Sequence, residues 1–139
     1  DDLCPSCAAE DLDLQTAAAM TILGTTDGRT PVTWELAPCE PPGNVFYDFQ
    51  GSNPFYIKIR VSQHTTPVAR LELRTAGDVW MDAPRTSDGF FELAPGTQFP
   101  LPLGVRATDV FGSTIEFEAP DLADGARDTG MQFPVMCAP

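Results

Sequence analysis

The run NPFYIKIRVS, residues 53–62, places two adjacent aromatic rings at the start of an alternating pattern. Its apolar positions share one parity (Phe55, Ile57, Ile59 and Val61), and the other parity carries Tyr56, Lys58, Arg60 and Ser62. Successive side chains of a strand point to opposite faces, so we expect the second set to face solvent. A tyrosine ring beside two long cationic side chains offers a flat apolar surface together with hydrogen-bond donors. We predict a binding role for Tyr56 with Lys58 and Arg60, and a core position for Phe55 unless a bulge re-aims it.

Other residue types that do chemistry are sparse in this chain. His64 is the only histidine, and without a nucleophile beside it we assign it a structural role in a turn. The segment DLADGARD, residues 121–128, gathers three aspartates. Its spacing does not match an EF-hand loop, so we predict a solvated turn. We expect no catalytic residue, no metal and no cofactor.

The chain has four cysteines: Cys4, Cys7, Cys39 and Cys137. The run CPSC has the first spacing of a zinc site, but a second CxxC is missing. In an acidic chain with a single lysine and many turns, two disulfides are the better interpretation, and they are typical of a secreted protein. We therefore predict two disulfides and an extracellular location.

The balance of charge restricts the partners. Eight Lys+Arg stand against 20 Asp+Glu, which gives a net charge of −12. Phosphate backbones, anionic membrane surfaces and acidic polysaccharides are therefore repelled at long range. No apolar run approaches the ~20 residues of a membrane span. We predict neither a nucleic-acid partner nor a membrane partner.

The first quarter of the chain carries its only helical pattern. Residues 13–23 predict a short helix with Asp11 or Asp13 near its N-terminus and Gly24 at its C-cap. Residues 32–36 alternate as a half-buried strand. These pieces alone cannot bury enough surface to fold.

Fourteen prolines and 11 glycines break the 139-residue chain into short pieces. The proline-rich run PCEPPGN, residues 38–44, is the predicted linker. Beyond it, short alternating runs predict an antiparallel β-sandwich: residues 45–50, 54–62, 67–74, 78–82, 89–93, 101–108, 114–118 and 131–136. Their inward parity predicts ten buried residues: Val45, Phe49, Ile57, Ile59, Val61, Leu71, Leu73, Val105, Ile115 and Phe117.

An ordered series of motifs resembles the expansin-like proteins of bacteria and other microbes. The series is TPVTWELAPCEPPGNVFYDFQGSNPFYIKIRVSQHTTPVARLEL, then GVRATDVFGSTI and the closing TGMQFP. Expansins join a double-psi β-barrel to an Ig-like sandwich classed as carbohydrate-binding module family 63. The resemblance implies an all-β chain in which residues 1–39 are the incomplete, helix-plus-strand end of the barrel and residues 43–137 are the sandwich. The first half of the barrel, on a separate fragment, is then a candidate partner.

The resemblance also assigns roles to acidic residues of the barrel. It places Asp2 and Asp13 in the barrel groove, where related hydrolases use a general acid and a general base. Expansins lack the base, so the implied protein is not an enzyme. For Asp13, a helix cap is an equal alternative.

The sugar-binding surface of the family is a line of three exposed aromatics. Phe55 and Tyr56 match the adjacent pair, but the third position falls on Ser87 or Asp88. The loss of one stacking ring removes about 1–3 kcal/mol, if sugars stack as bases do. Trp80 is a candidate substitute, although its place in DVWM is more typical of a core residue.

The implied function is that of a secreted, non-hydrolytic protein that binds a neutral polysaccharide, cellulose or another β-glucan, and loosens cell-wall networks. The alternative is a protein-interaction or structural module that kept the fold without sugar binding. If the sandwich is tied to the barrel remnant, Cys39 pairs with Cys4 or Cys7, and Cys137 pairs with the one left over.

Overall fold

The computed structural model describes residues 7–8, 11–26, 28–35 and 43–134. The chain divides into two compact units, Asp1–Leu36 and Ala37–Pro139. The predicted linker and three of the four cysteines, Cys4, Cys39 and Cys137, lie largely or wholly outside the described residues. The domain limits and the disulfide pairing therefore stay predictions.

The first unit contains one helix, α1, at Thr16–Leu23. It ends at Gly24, whose φ of 71° lies in the left-handed region and whose N–H donates to the carbonyl of Met20 at 3.2 Å. This confirms the predicted glycine C-cap. The capping role predicted for Asp11 or Asp13 is wrong, because the helix begins later than predicted and its N-cap is Gln15, without a side-chain hydrogen bond.

The strand predicted at residues 32–36 is also wrong over its described part, since residues 32–35 form no strand. A strand needs a hydrogen-bonded neighbour, and the described part of this unit offers none. Ala19 is the only buried hydrophobic residue among those described here. Five large apolar side chains among the described residues of the unit are exposed: Leu12, Met20, Ile22, Val32 and Trp34.

The second unit is a sandwich of two four-stranded antiparallel sheets. Its strands are β1 Phe46–Phe49, β2 Ile57–Ser62, β3 Val68–Thr75, β4 Val79–Asp82, β5 Phe91–Leu93, β6 Leu103–Asp109, β7 Thr114–Ala119 and β8 Arg127–Asp128. Sheet 1 has the order β5-β2-β1-β8, and sheet 2 has the order β4-β3-β6-β7.

The inner faces of the two sheets form one core. All ten residues predicted from parity are buried, which confirms the register of the strands that carry them. Tyr47 of sheet 1 stacks on Phe117 of sheet 2 with ring centroids 5.0 Å apart. Phe99, between β5 and β6, and Phe133, after β8, complete the core.

The last predicted strand, 131–136, is absent over residues 131–134. The segment runs beside β1 with isolated bonds, such as the 2.7 Å bond from the Val45 N–H to the Met131 carbonyl. On the side of β1 away from β2, the neighbouring strand is β8, which lies at the end of the predicted turn 121–128. No helix among the described residues is long and apolar enough to cross a membrane.

Candidate functional site

The candidate site lies on the outer face of sheet 1. Ile57, Ile59 and Val61 of β2 point into the core, so Lys58 and Arg60 point outward, as predicted. Lys58 lies opposite Glu92 of β5, and Arg60 lies opposite Asp48 of β1. The outer face therefore brings cations and carboxylates from three strands together.

Phe55 is not a core residue, so the core position predicted from its parity is wrong, while its sugar-binding role stays a prediction. Residues 53–56 form a tight turn in which the Asn53 N–H donates to the Tyr56 carbonyl at 2.8 Å and the Tyr56 N–H donates back at 3.0 Å. The Asn53 side chain also accepts the Phe55 N–H at 2.9 Å. The alternation of β2 begins only after this turn, so Phe55 stands at the tip, 57% exposed.

Tyr56 is the last residue of the turn and directly precedes β2, and its side chain is half-buried. Partial burial and a hydrogen bond with the Glu92 carboxylate raise the pKa of the Tyr56 phenol. The phenol thus stays protonated and donates to Glu92. Bonds within the turn thus fix the backbone of Phe55 and Tyr56 at one end of β2.

Lys58 is held by two carboxylates. Its Nζ donates to Asp88 Oδ2 at 2.6 Å and lies 3.5 Å from Glu92 Oε1. The bond with Asp88 raises the pKa of Lys58, and the bonds from Lys58 and then Thr86 lower the pKa of Asp88 to about 2. Lys58 and Asp88 are therefore an ion pair at any pH near neutrality.

The ring of Phe90 lies under the cationic groups of Lys58 and Arg60. Phe90 directly precedes β5, and its parity is opposite to that of the core residue Phe91. Lys58 Nζ lies 4.8 Å and Arg60 Cζ 5.0 Å from the centre of its ring. Phe90 is only 7% exposed, although it belongs to the outer face.

Arg60 is itself tied to β1. Its Nη2 donates to Asp48 Oδ2 at 3.2 Å. The other oxygen of Asp48 accepts the Gly125 N–H at 3.0 Å, so the loop before β8 fixes this carboxylate. The polar rim of the site, which we define as Lys58, Arg60, Asp48, Asp88 and Glu92, is thus internally paired.

Trp80 lies on the other side of the sandwich. It pairs with Arg74 on the outer face of sheet 2, where it is half-buried and outside the core cluster. The core interpretation of Trp80 is therefore wrong. Its ring is covered by Arg106 at 4.5 Å and flanked by Arg74 at 5.9 Å, and it cannot complete a line of rings with Tyr56 on the opposite sheet.

Four functional candidates escaped the sequence analysis: Asp48, Asp88, Phe90 and Glu92. Glu92 and Asp48 have the outward parity of their strands, so alternation could have identified them. The pairing of Asp88 with Lys58 depends on a contact 30 residues apart, which no local pattern records. Burial lowers the pKa of His64, and its structural role in a turn stays a prediction.

Of the two acidic residues that the resemblance assigns to a barrel groove, only Asp13 lies among the described residues. Asp13 lines a groove of about 490 Å³ in the first unit, together with Asp11 and Arg29. Asp2 lies outside the described residues. No group of three or more His, Cys, Asp or Glu side chains that could hold a metal occurs among the described residues.

The chain has an expansin-like fold. No protein-family model matches it, and no curated protein matches it. The crystal structure of apo Clavibacter michiganensis expansin matches with a TM-score of 0.61 and 22% identity, covering 70% of this chain and 48% of that one. A mutant of the same expansin in complex with cellohexaose matches with a TM-score of 0.61 and 24% identity, covering 71% and 48%. This chain spans about half the length of those expansin chains.

Proposed function

We propose that this chain belongs to a secreted, non-hydrolytic expansin-like protein whose sandwich binds the surface of a neutral β-glucan such as cellulose and loosens polysaccharide networks. The observation that carries the proposal is the pair of adjacent rings, Phe55 and Tyr56, held at the end of β2 beside the polar rim. Flat rings stack on the apolar faces of sugar units, and the rim offers donors and acceptors for hydroxyl groups. Cellohexaose bound to an expansin mutant of similar fold supports the same ligand class.

The charges of the rim support a neutral polymer. Its two cations, Lys58 and Arg60, are each paired with a carboxylate, and Glu92 adds a third negative charge. A uronic-acid polymer would meet this net negative rim and a chain of charge −12. Neutral hydroxyls bind to paired ions without this repulsion.

The first unit supports a barrel partner. Its described residues expose the apolar side chains named above and bury only Ala19. Exposed apolar area of this density indicates that a further polypeptide segment covers it. The first half of a double-psi barrel is the segment that we propose, and Asp13, with Asp2, would then line a groove that binds sugar without cleaving it.

A binding assay on insoluble cellulose tests the sugar site. Phe55→Ala and Tyr56→Ala should each weaken binding at least about fivefold, if sugar stacking has the lower strength of base stacking. Phe111→Ala is the matched control, because Phe111 is also an aromatic residue exposed at a turn, 49%, but lies in the connection between β6 and β7. Melting temperatures should change little in Phe55→Ala and Phe111→Ala, since exposed rings contribute little to the core. Tyr56→Ala should lower the melting temperature more, because Tyr56 is half-buried and bound to Glu92.

Two further results decide between functions. Trp80→Ala should leave cellulose binding unchanged, because its ring belongs to the opposite sheet. If the wild type binds neither cellulose, nor xylan, nor another neutral polysaccharide, the sugar-binding proposal is wrong. The protein-interaction module then takes its place. Equal losses in Phe55→Ala and Phe111→Ala would equally contradict the site.

A further inference from the structure

Phe90 is a buried ring outside the core. The strand register directs Phe91 inward against Ile59, so its neighbour Phe90 faces outward. Only 7% of Phe90 is exposed, and the side chains that cover it are Lys58 and Arg60 of the adjacent strand. The ring is thus hidden by the outer face itself and not by the second sheet.

Two carboxylates hold Lys58, which is one of the two side chains that cover Phe90. Asp88 Oδ2 binds Lys58 Nζ at 2.6 Å, and Glu92 lies 3.5 Å from the same nitrogen. The turn that carries Asp88 is fixed, because the Thr86 N–H donates to the Phe90 carbonyl at 2.8 Å and the Gly89 N–H donates to the Thr86 carbonyl at 3.0 Å. The same turn therefore positions both the hidden ring and the carboxylate that holds its cover.

The covered ring is in line with Tyr56. Phe90 lies almost equally far from Lys58 and Arg60, 4.8 and 5.0 Å. Phe91 pairs with Ile59, so Phe90 lies beside Arg60, four residues and roughly 13 Å further along β2 than Tyr56 at the usual rise of a strand. A polymer chain that stacks on Tyr56 and follows β2 would pass directly over the Lys58 cover.

We propose that Phe90 is a latent third stacking ring and that Asp88 keeps it covered by holding Lys58 over it. This inference rests on the proposed sugar-binding function and deepens it. The family resemblance predicts a third ring at Ser87 or Asp88. In this chain Asp88 instead holds Lys58 over the ring of Phe90. When Lys58 leaves Asp88, the part of the ring that Lys58 covers becomes available to a neutral β-glucan, while Arg60 stays bound to Asp48. The Lys58 ammonium is then free to donate to a sugar hydroxyl.

The experiment releases Lys58 without removing it. Asp88→Asn keeps the size of the side chain and an oxygen that accepts from Thr86 and Phe90, but it removes the charge that holds Lys58. Binding isotherms on insoluble cellulose should show up to about fivefold tighter binding, the factor that an exposed ion pair represents. In Asp88→Asn combined with Phe90→Leu, which keeps an apolar side chain without the flat ring, the gain should disappear.

Glu118→Gln is the matched control. It removes one negative charge and one ion pair, with Arg74, on the outer face of sheet 2, and it should bind like the wild type. Rising NaCl should strengthen wild-type binding towards that of Asp88→Asn, because salt screens the half-exposed pair. The Asp88→Asn variant should show no such rise.

Several results would overturn the inference: no gain in Asp88→Asn, an equal gain in Glu118→Gln, or a gain that survives Phe90→Leu. If Tyr56→Ala weakens binding while Asp88→Asn has no effect, the cover is wrong and the proposed function stands. If the wild type does not bind but Asp88→Asn does, the cover is supported. If neither binds, both proposals are wrong.

Discussion

The outer faces of the two sheets use the same residue types in opposite ways. Each combines an aromatic ring, cations and carboxylates. On sheet 2, Glu72 is 5% exposed at its side chain and accepts two bonds of 2.7 Å from Arg106, with Arg70 at 3.0 Å. On sheet 1, the carboxylates lie nearer solvent, and two adjacent rings stand at the end of β2.

The difference shows that an ion pair on a sheet face has no single meaning. Glu72 is at the centre of a cross-strand network that removes it from water, so its partners are needed to keep the face folded. Asp88 is 48% exposed at its side chain, so its pair with Lys58 contributes little to stability and can break for a ligand. The proposed sugar site thus lies on the sheet whose ion pairs are nearer solvent, and sheet 2 carries the more deeply buried network.

The comparison depends first on the parity of β2. Ile59→Ala should lower the free energy of unfolding by ~2–5 kcal/mol, because it truncates a fully buried side chain between the sheets. Urea unfolding measures the change. A loss below about half a kcal/mol would mean that Lys58 and Arg60 do not define an outer face.

Neutralising one carboxylate on each face sharpens the contrast. Glu72→Gln should lower the free energy of unfolding by about 1–3 kcal/mol, because it removes the buried carboxylate that Arg106 and Arg70 share and leaves them only the exposed Glu116 and Asp82. Glu92→Gln should change it by no more than roughly 0.5 kcal/mol, as expected of a surface substitution. Equal effects in parallel urea titrations would remove the distinction between the faces.

The acid side of the stability profile gives the smallest effect. The bonds from Arg106 lower the pKa of Glu72 in the folded protein, so its contribution is present above the unfolded value of about 4.3 and is lost as pH falls through the folded value. Melting temperatures of the wild type should therefore fall below about pH 4. Glu72→Gln should flatten this fall. A steeper dependence in Glu72→Gln would show that the network is not what acid disrupts.

The sequence by itself determined which side chains of most strands face the core. Alternation has a period of two and needs no knowledge of the partner strand, so Ile57, Ile59 and Leu73 were assigned correctly. The glycine C-cap of α1 was equally local, because Gly24 adopts a left-handed conformation that other residues avoid. The sandwich could be predicted for the same reason, from the number and spacing of such runs.

Only the tertiary structure decided the candidate site. Two backbone bonds and the Asn53 side chain close the turn at residues 53–56. The alternation of β2 therefore starts only at Ile57, and Phe55 is exposed. Asp88 reached Lys58, and the outward Phe90 was hidden by cations of a neighbouring strand. These contacts join residues about 30 positions apart. Their positions follow from strand pairing, which fixes neighbours across the sheet that the linear sequence does not record.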